Sequence, residues 1–163
     1  MTTFNPELFS LTLSDDAKPL LDSVKRHITE NVDPITEEYY ALNKEKEDPW
    51  THHPRQIELL EGAKMKAREA GLWNFFLPDA DTGEGLKNLD YAYLAVELGR
   101  SPLSSQTLNC SAPDTGNMEV LERVGTPNQK EKWLKPLLAG EIRSAYAMSE
   151  PSLASSDATN IST

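Results

Sequence analysis

The chain has 163 residues, 38% hydrophobic and 26% charged, which suffices for one domain of packed helices and a fragment of a second but leaves two complete domains cramped. Its formal net charge of −10 repels phosphate backbones and excludes non-specific nucleic-acid binding, while backbone amides remain able to hold a phosphorylated ligand locally. No run of about 18 apolar residues is present to span a bilayer, the segment MTTFNPELFSLTLSDD has neither a secretory core nor an Arg-rich presequence, and the single Cys110 leaves no internal disulfide; residence inside the cell is the expectation.

Ser14 followed by Asp15 and Asp16 is a helix-start signal, because the hydroxyl accepts from free amides and the carboxylates suit the positive end of the dipole. Ala17, Leu20, Leu21, Val24 and Ile28 then share one face, and Val32, Ile35 and Tyr39 extend it past a bend expected at Pro34. A second amphipathic helix is predicted from Pro54 to Ala70, with Ile57, Leu60, Ala63, Ala67 and Ala70 inward and Gly71 as terminator. Leu72, Trp73, Phe75 and Phe76 lead into a polar turn region from Pro78 to Gly85.

NLDYAYLAVELG, Asn88 to Gly99, is apolar nearly all round and is expected at the domain centre. Asp114 to Val124 reads as a helix with Met118, Leu121 and Val124 on one face and Gly125 after it. Thr126, Pro127 and Gln129 then supply a capping hydroxyl, a proline at the first helical position and the partner that closes a capping box. Trp133, Leu134, Leu137 and Leu138 form the apolar face of that helix, which Pro136 should bend before Gly140 ends it. From Ile142 the helical period is lost, and IRSAYAMS reads as a strand with no partner strand in the chain, entering a loop of Ser, Pro, Ala and Asp. The organisation expected is a helical domain over 1–141 and an incomplete β domain beginning at 142, in a chain that looks interrupted.

The order of helices, then AMSEPSLASSDATNI, resembles the acyl-CoA dehydrogenase family, and most closely its subgroup with a flavin segment of the form AM(T/S)EP, two residues, ASSDATNI. LWNFFLPDADTGEGL is similar to the family's loop after the second helix, and GTPNQKEKWLKPLLAGE to its helix before the flavin strand. Common members have threonine before EP and a shorter loop ending in GSD, so this chain carries one extra loop residue and Ser155 in place of glycine. The resemblance implies a mainly α fold: the N-terminal helical bundle of an acyl-CoA dehydrogenase, followed by the first strand and loop of the middle β domain.

For chemistry, the resemblance implies FAD-dependent α,β-dehydrogenation of an acyl-CoA thioester to the 2,3-enoyl-CoA. Ser149 occupies the position of the hydroxyl that donates beside N1 and the C2 carbonyl of the flavin, where negative charge develops on reduction. Met148 would lie against the ring, Tyr146 near the cofactor, and Ser155 and Ser156 at the pyrophosphate; Ser156 also matches a serine that meets the acyl-CoA. The family's glutamate base and its Trp-x-Ser/Thr flavin contacts lie beyond Thr163, so no residue here is assigned a catalytic role. Trp50, Trp73 and Trp133 all stand upstream and do not substitute. An electron acceptor such as an electron-transfer flavoprotein or oxygen, and homo-oligomers of the complete protein, are further implications.

Other features read more plainly. His52 and His53 lack a third ligand and are taken as a solvated loop. Asp79, Asp81 and Glu84 imitate a calcium loop, yet the glycine comes one position early and no glutamate stands at the twelfth, so they are read as a turn. Lys44 to Asp48 is a solvated helix end, and Cys110 a buried thiol. The competing function is a non-catalytic remnant whose helices act as an interaction module.

Overall fold

The computed structural model describes residues 11–79, 83–153 and 156–162. It is helical, with an isolated bridge between Glu150 and Leu153 as the sole β pairing among the described residues. The chain divides into two compact units, Met1–Thr115 and Gly116–Thr163.

In the first unit, α1 (Lys18–His27) runs through a π-helical turn (Ile28–Val32) into α2 (Asp33–Ala41). The apolar stripe is buried as its spacing requires: Ala17, Leu21, Val24, Ile28, Val32 and Tyr39 are all shielded from solvent. The helix starts later than the signal at Ser14 suggests: Ala17 is the N-cap of α1 with no side-chain cap bond, and Ser14 instead closes the turn before it, its Oγ lying 3.3 Å from the Ala17 amide. The same residue is held from afar, because its N–H and hydroxyl donate to the two oxygens of buried Asp90 at 2.9 and 3.0 Å. The disturbance expected at Pro34 takes the form of the wider turn just before it, where the Asp33 amide donates five residues back to the Ile28 carbonyl. A proline has no N–H to give and its ring crowds the carbonyl four residues earlier, so the ladder loosens upstream of it.

After a 3-10 turn (Leu42–Glu45), α3 spans Pro54–Glu69. Its inward face differs from the expected one: Ile57 is 52% exposed and Ala70 is exposed, whereas Gln56 is buried with Ala63 and Ala67. Gln56 tolerates the interior because both ends of its amide are bonded. Nε2 donates to the Tyr39 carbonyl (2.7 Å) and Asn43 Oδ1 (3.0 Å), and Oε1 accepts from the His53 amide (3.0 Å). His53 is no loose loop residue but the N-cap, its Nδ1 accepting from the Arg55 amide at 3.1 Å. Gly71, at φ +71°, ends the helix in the left-handed conformation that glycine adopts without cost, and Leu72 N–H returns to the Ala67 carbonyl at 2.8 Å.

Leu72, Phe75, Phe76 and Leu77 are buried beyond that turn. Two asparagines with positive φ, Asn74 and Asn109, are joined there by a bond from Asn109 Nδ2 to Asn74 Oδ1 of 2.7 Å. α4 (Asn88–Leu98) packs on α1 and is not enclosed: Asp90, Leu94 and Leu98 are buried, but Val96 is 69% exposed and Tyr93 39%. The short α5 (Ser104–Thr107), which no periodic pattern announces, sets Leu103 against Val32 and Tyr39.

α6 (Asp114–Val124) leads into the second unit, with Met118 buried and Val124 turned out to 76% exposure. The capping box at Thr126 forms as expected: Thr126 Oγ1 accepts from the Gln129 amide and Gln129 Oε1 from the Thr126 amide, at 3.3 and 2.8 Å. α7 (Pro127–Gln129), a π-helical turn (Lys130–Leu134) and α8 (Lys135–Ala139) then form one continuous rod. Pro136 repeats the effect of Pro34, and the Lys135 amide reaches five residues back to Lys130. Leu134 and Leu137 are buried, Trp133 is 46% exposed, and Gly140 closes α8 at φ +70°. The strand expected over IRSAYAMS does not form: residues 143–149 have no regular structure, since a lone strand has no neighbour to satisfy its backbone groups. Asp81 and Ser155 lie outside the described residues.

Candidate functional site

The end of α8 fixes where the candidate segment begins. Glu141 N–H donates to the Pro136 carbonyl at 2.9 Å, and Ser144 Oγ accepts from Asn117 Nδ2 of α6 at 2.8 Å. Between these anchors lies a groove of about 410 Å³, lined chiefly by Val120, Leu121, Trp133, Leu137 and Ile142. The chain leaves it with Tyr146 at 69% and Met148 at 45% exposure, so two large side chains, two positions apart, present apolar surface to solvent.

Ser149 comes next, with its side chain exposed and in no hydrogen bond to a described residue. Glu150 to Leu153 then turn back sharply, Leu153 N–H bonding the Glu150 carbonyl at 3.0 Å, with Pro151 at the turn position its fixed φ favours. Ser156 is half-buried at φ +51°, a conformation seldom taken by a residue with a side chain. Asp157 organises the turn over residues 157–160: Oδ1 accepts from the Thr159 amide (3.0 Å) and hydroxyl (2.7 Å), and Oδ2 from Asn160 Nδ2 (2.7 Å). The Thr159 bonds, with that of Asn160, hold the Asp157 carboxyl below the ordinary carboxylate range. Finally, both oxygens of Glu150 accept from the Ser162 amide at 3.1 Å.

Tyr146, Met148 and Ser149 thus follow one another along an exposed stretch, and Ser156 stands beside the turn gathered by Asp157. Sequence reasoning misses the contributions of Glu150, Asp157 and Asn117. Asp157 is the most accessible of the three, since an Asp two residues before a threonine is a familiar Asx-turn pattern. No group of three or more His, Cys, Asp or Glu side chains that could hold a metal ion occurs among the described residues. No helix among them is long and apolar enough to cross a membrane.

Comparison with known proteins identifies the helical part of the chain. Residues 14–141 match the family model of the acyl-CoA dehydrogenase N-terminal domain. The chain is 45% identical over 154 residues to mouse acyl-CoA dehydrogenase family member 10, and 46% identical over 138 residues to human acyl-CoA dehydrogenase family member 11. These alignments cover 91% and 85% of this chain but 14% and 17% of the relatives. A solved structure of a candidate acyl-CoA dehydrogenase from Mycobacterium abscessus superposes with a TM-score of 0.82 at 46% identity, covering 91% of this chain and 38% of the other. The chain belongs to the acyl-CoA dehydrogenase family. Its helical fold is that of the family's N-terminal domain, and it spans well under half the length of these relatives.

The residues present suit a flavin nucleotide. A planar ring needs exposed apolar surface and a hydroxyl donor, which Tyr146, Met148 and Ser149 offer in sequence. A pyrophosphate needs close approach to backbone amides, which a left-handed residue such as Ser156 favours by turning successive N–H groups toward one side.

Proposed function

We propose that this chain supplies the helical domain and the first part of the cofactor site of an enzyme that carries out FAD-dependent α,β-dehydrogenation of an acyl-CoA thioester. The observation that carries the reading is the exposed, unbonded Ser149 hydroxyl between a pair of exposed apolar side chains and the turn at Pro151, in a chain of this family. FAD, when bound, supplies the hydride acceptor. Ser149 donates a hydrogen bond where negative charge gathers on reduction, a donor whose value grows as water is excluded. Met148 and Tyr146 shield the ring from solvent. Ser155 and Ser156 bind the pyrophosphate, and Ser156 also meets the acyl-CoA. Proton abstraction from the substrate is assigned to no residue of this chain.

Titration of FAD into the purified chain tests the reading through the flavin's own fluorescence. Saturable quenching is expected, weakened about five- to tenfold in Ser149→Ala, as loss of one hydrogen bond of about 1 kcal/mol requires. Equal affinity in the two proteins would remove Ser149 from the site. Absence of saturable binding by the unsubstituted chain would remove the flavin assignment altogether.

A further inference from the structure

The candidate segment contains two carboxylates that the flavin chemistry leaves unused, Glu150 and Asp157. Negative side chains beside a pyrophosphate would ordinarily oppose its binding. Here their oxygens are directed at the segment itself. Glu150 accepts twice from the Ser162 amide, 12 residues along the chain, and Asp157 gathers the Thr159 amide, the Thr159 hydroxyl and the Asn160 side chain. The two serines at issue stand next to them, Ser149 before Glu150 and Ser156 before Asp157.

We propose that Glu150 and Asp157 are positioning residues: the Glu150 bond to the Ser162 amide and the turn gathered by Asp157 fix the backbone beside Ser149 and Ser156, and the two carboxylates act on a flavin nucleotide through that backbone without touching it. The proposal rests on the flavin reading of this segment. Its physical basis is preorganisation. A loop already closed by charge-assisted bonds has less conformational freedom to lose when a ligand docks, whereas an open one must be ordered at the ligand's expense.

The test uses the whole chain in three forms: unsubstituted, Glu150→Ala, and Glu150→Gln, whose amide oxygen still accepts a hydrogen bond. Three readouts are taken from each. Far-UV circular dichroism reports the helices, amide exchange by NMR reports the Ser162 N–H, and flavin fluorescence reports FAD affinity. The expected result is unchanged helicity throughout, loss of Ser162 protection and an affinity at least about tenfold weaker in Glu150→Ala, and recovery of most of both in Glu150→Gln. If Glu150→Ala frees the Ser162 amide but binds FAD as tightly as the unsubstituted chain, the positioning role is overturned while the flavin reading stands. If Ser162 is unprotected in the unsubstituted chain, the clamp itself is overturned. If Ser162 is protected and no FAD binds, the flavin reading falls, and the role proposed for the clamp toward a flavin falls with it.

Discussion

The imidazole of His27 is buried, with Nε2 3.0 Å from Thr107 Oγ1 and Nδ1 3.4 Å from Asn31 Nδ2. Thr107 donates its one hydroxyl proton to the Ser104 carbonyl at 2.9 Å, so it accepts from His27, and the proton of the neutral ring sits on Nε2. Burial, and secondarily the positive charge of Lys66, hold the imidazole below its ordinary value of 6.5. The unfolded chain therefore takes up the proton first as pH falls. The contribution of His27 to stability is fully present above pH 6.5 and is lost as the pH drops below that value toward the folded-state pKa. Urea unfolding at pH 7.5 and 5.5 should show a loss of stability on acidification that is smaller in His27→Gln; identical losses would contradict the assignment. His53 acts through geometry alone. Its Nδ1 fills the N-cap of α3, and His53→Ala should lower stability by roughly 1 kcal/mol, while His53→Asp should retain it. Cys110 is buried with its thiol pushed up to about 12, so thiol reagents should label it only when the chain unfolds.

Among the elements, two glycines, one within a helix and one following a helix, make opposite predictions. Gly62 lies within α3, and a methyl group added there meets nothing within 4 Å. Gly62→Ala should raise stability by about 0.5 to 1 kcal/mol, read as an increase in Tm. Gly125 comes after α6, and its added Cβ would lie 2.3 Å from the Leu121 carbonyl oxygen, so Gly125→Ala should lower Tm by disrupting the junction with α7. Most of the helices are legible in the sequence because capping chemistry and periodicity agree, as they do at Gly71, Thr126 and Gly140. The failures share a cause. Periodicity places Ile57 and Val124 inward on apolar character alone, but a helix buries whichever face meets a neighbour, and Gln56 goes inward because Tyr39 and Asn43 are there to bond it. The prolines announce a disturbance without its form. A bend and a widened turn arise from the same missing N–H, and only the surrounding packing selects between them.

For the molecule as a whole, the candidate site is legible to the extent that it is local. Ser149 and Ser156 stand in one short contiguous segment, and it is the resemblance of that segment to the family's flavin segment that singles them out. The clamp from Glu150 to Ser162 and the anchor from Asn117 to Ser144 depend on where the backbone returns, which no spacing rule specifies. The same distinction separates α4 from its expected place. Its sequence is that of an enclosed helix, yet Tyr93 and Val96 face solvent, because enclosure is a property of neighbours and not of the helix. The bond between Ser14 and Asp90 has a consequence for the order in which structure is acquired. These residues are 76 positions apart, so the stretch that leads into α1 gains its tie to Asp90 only after residue 90 has been synthesised. In a peptide of residues 11–45 the Ser14 amide should accordingly exchange freely, while the same amide is protected in the whole chain. The entry to the first helix is secured by a residue made much later in the chain.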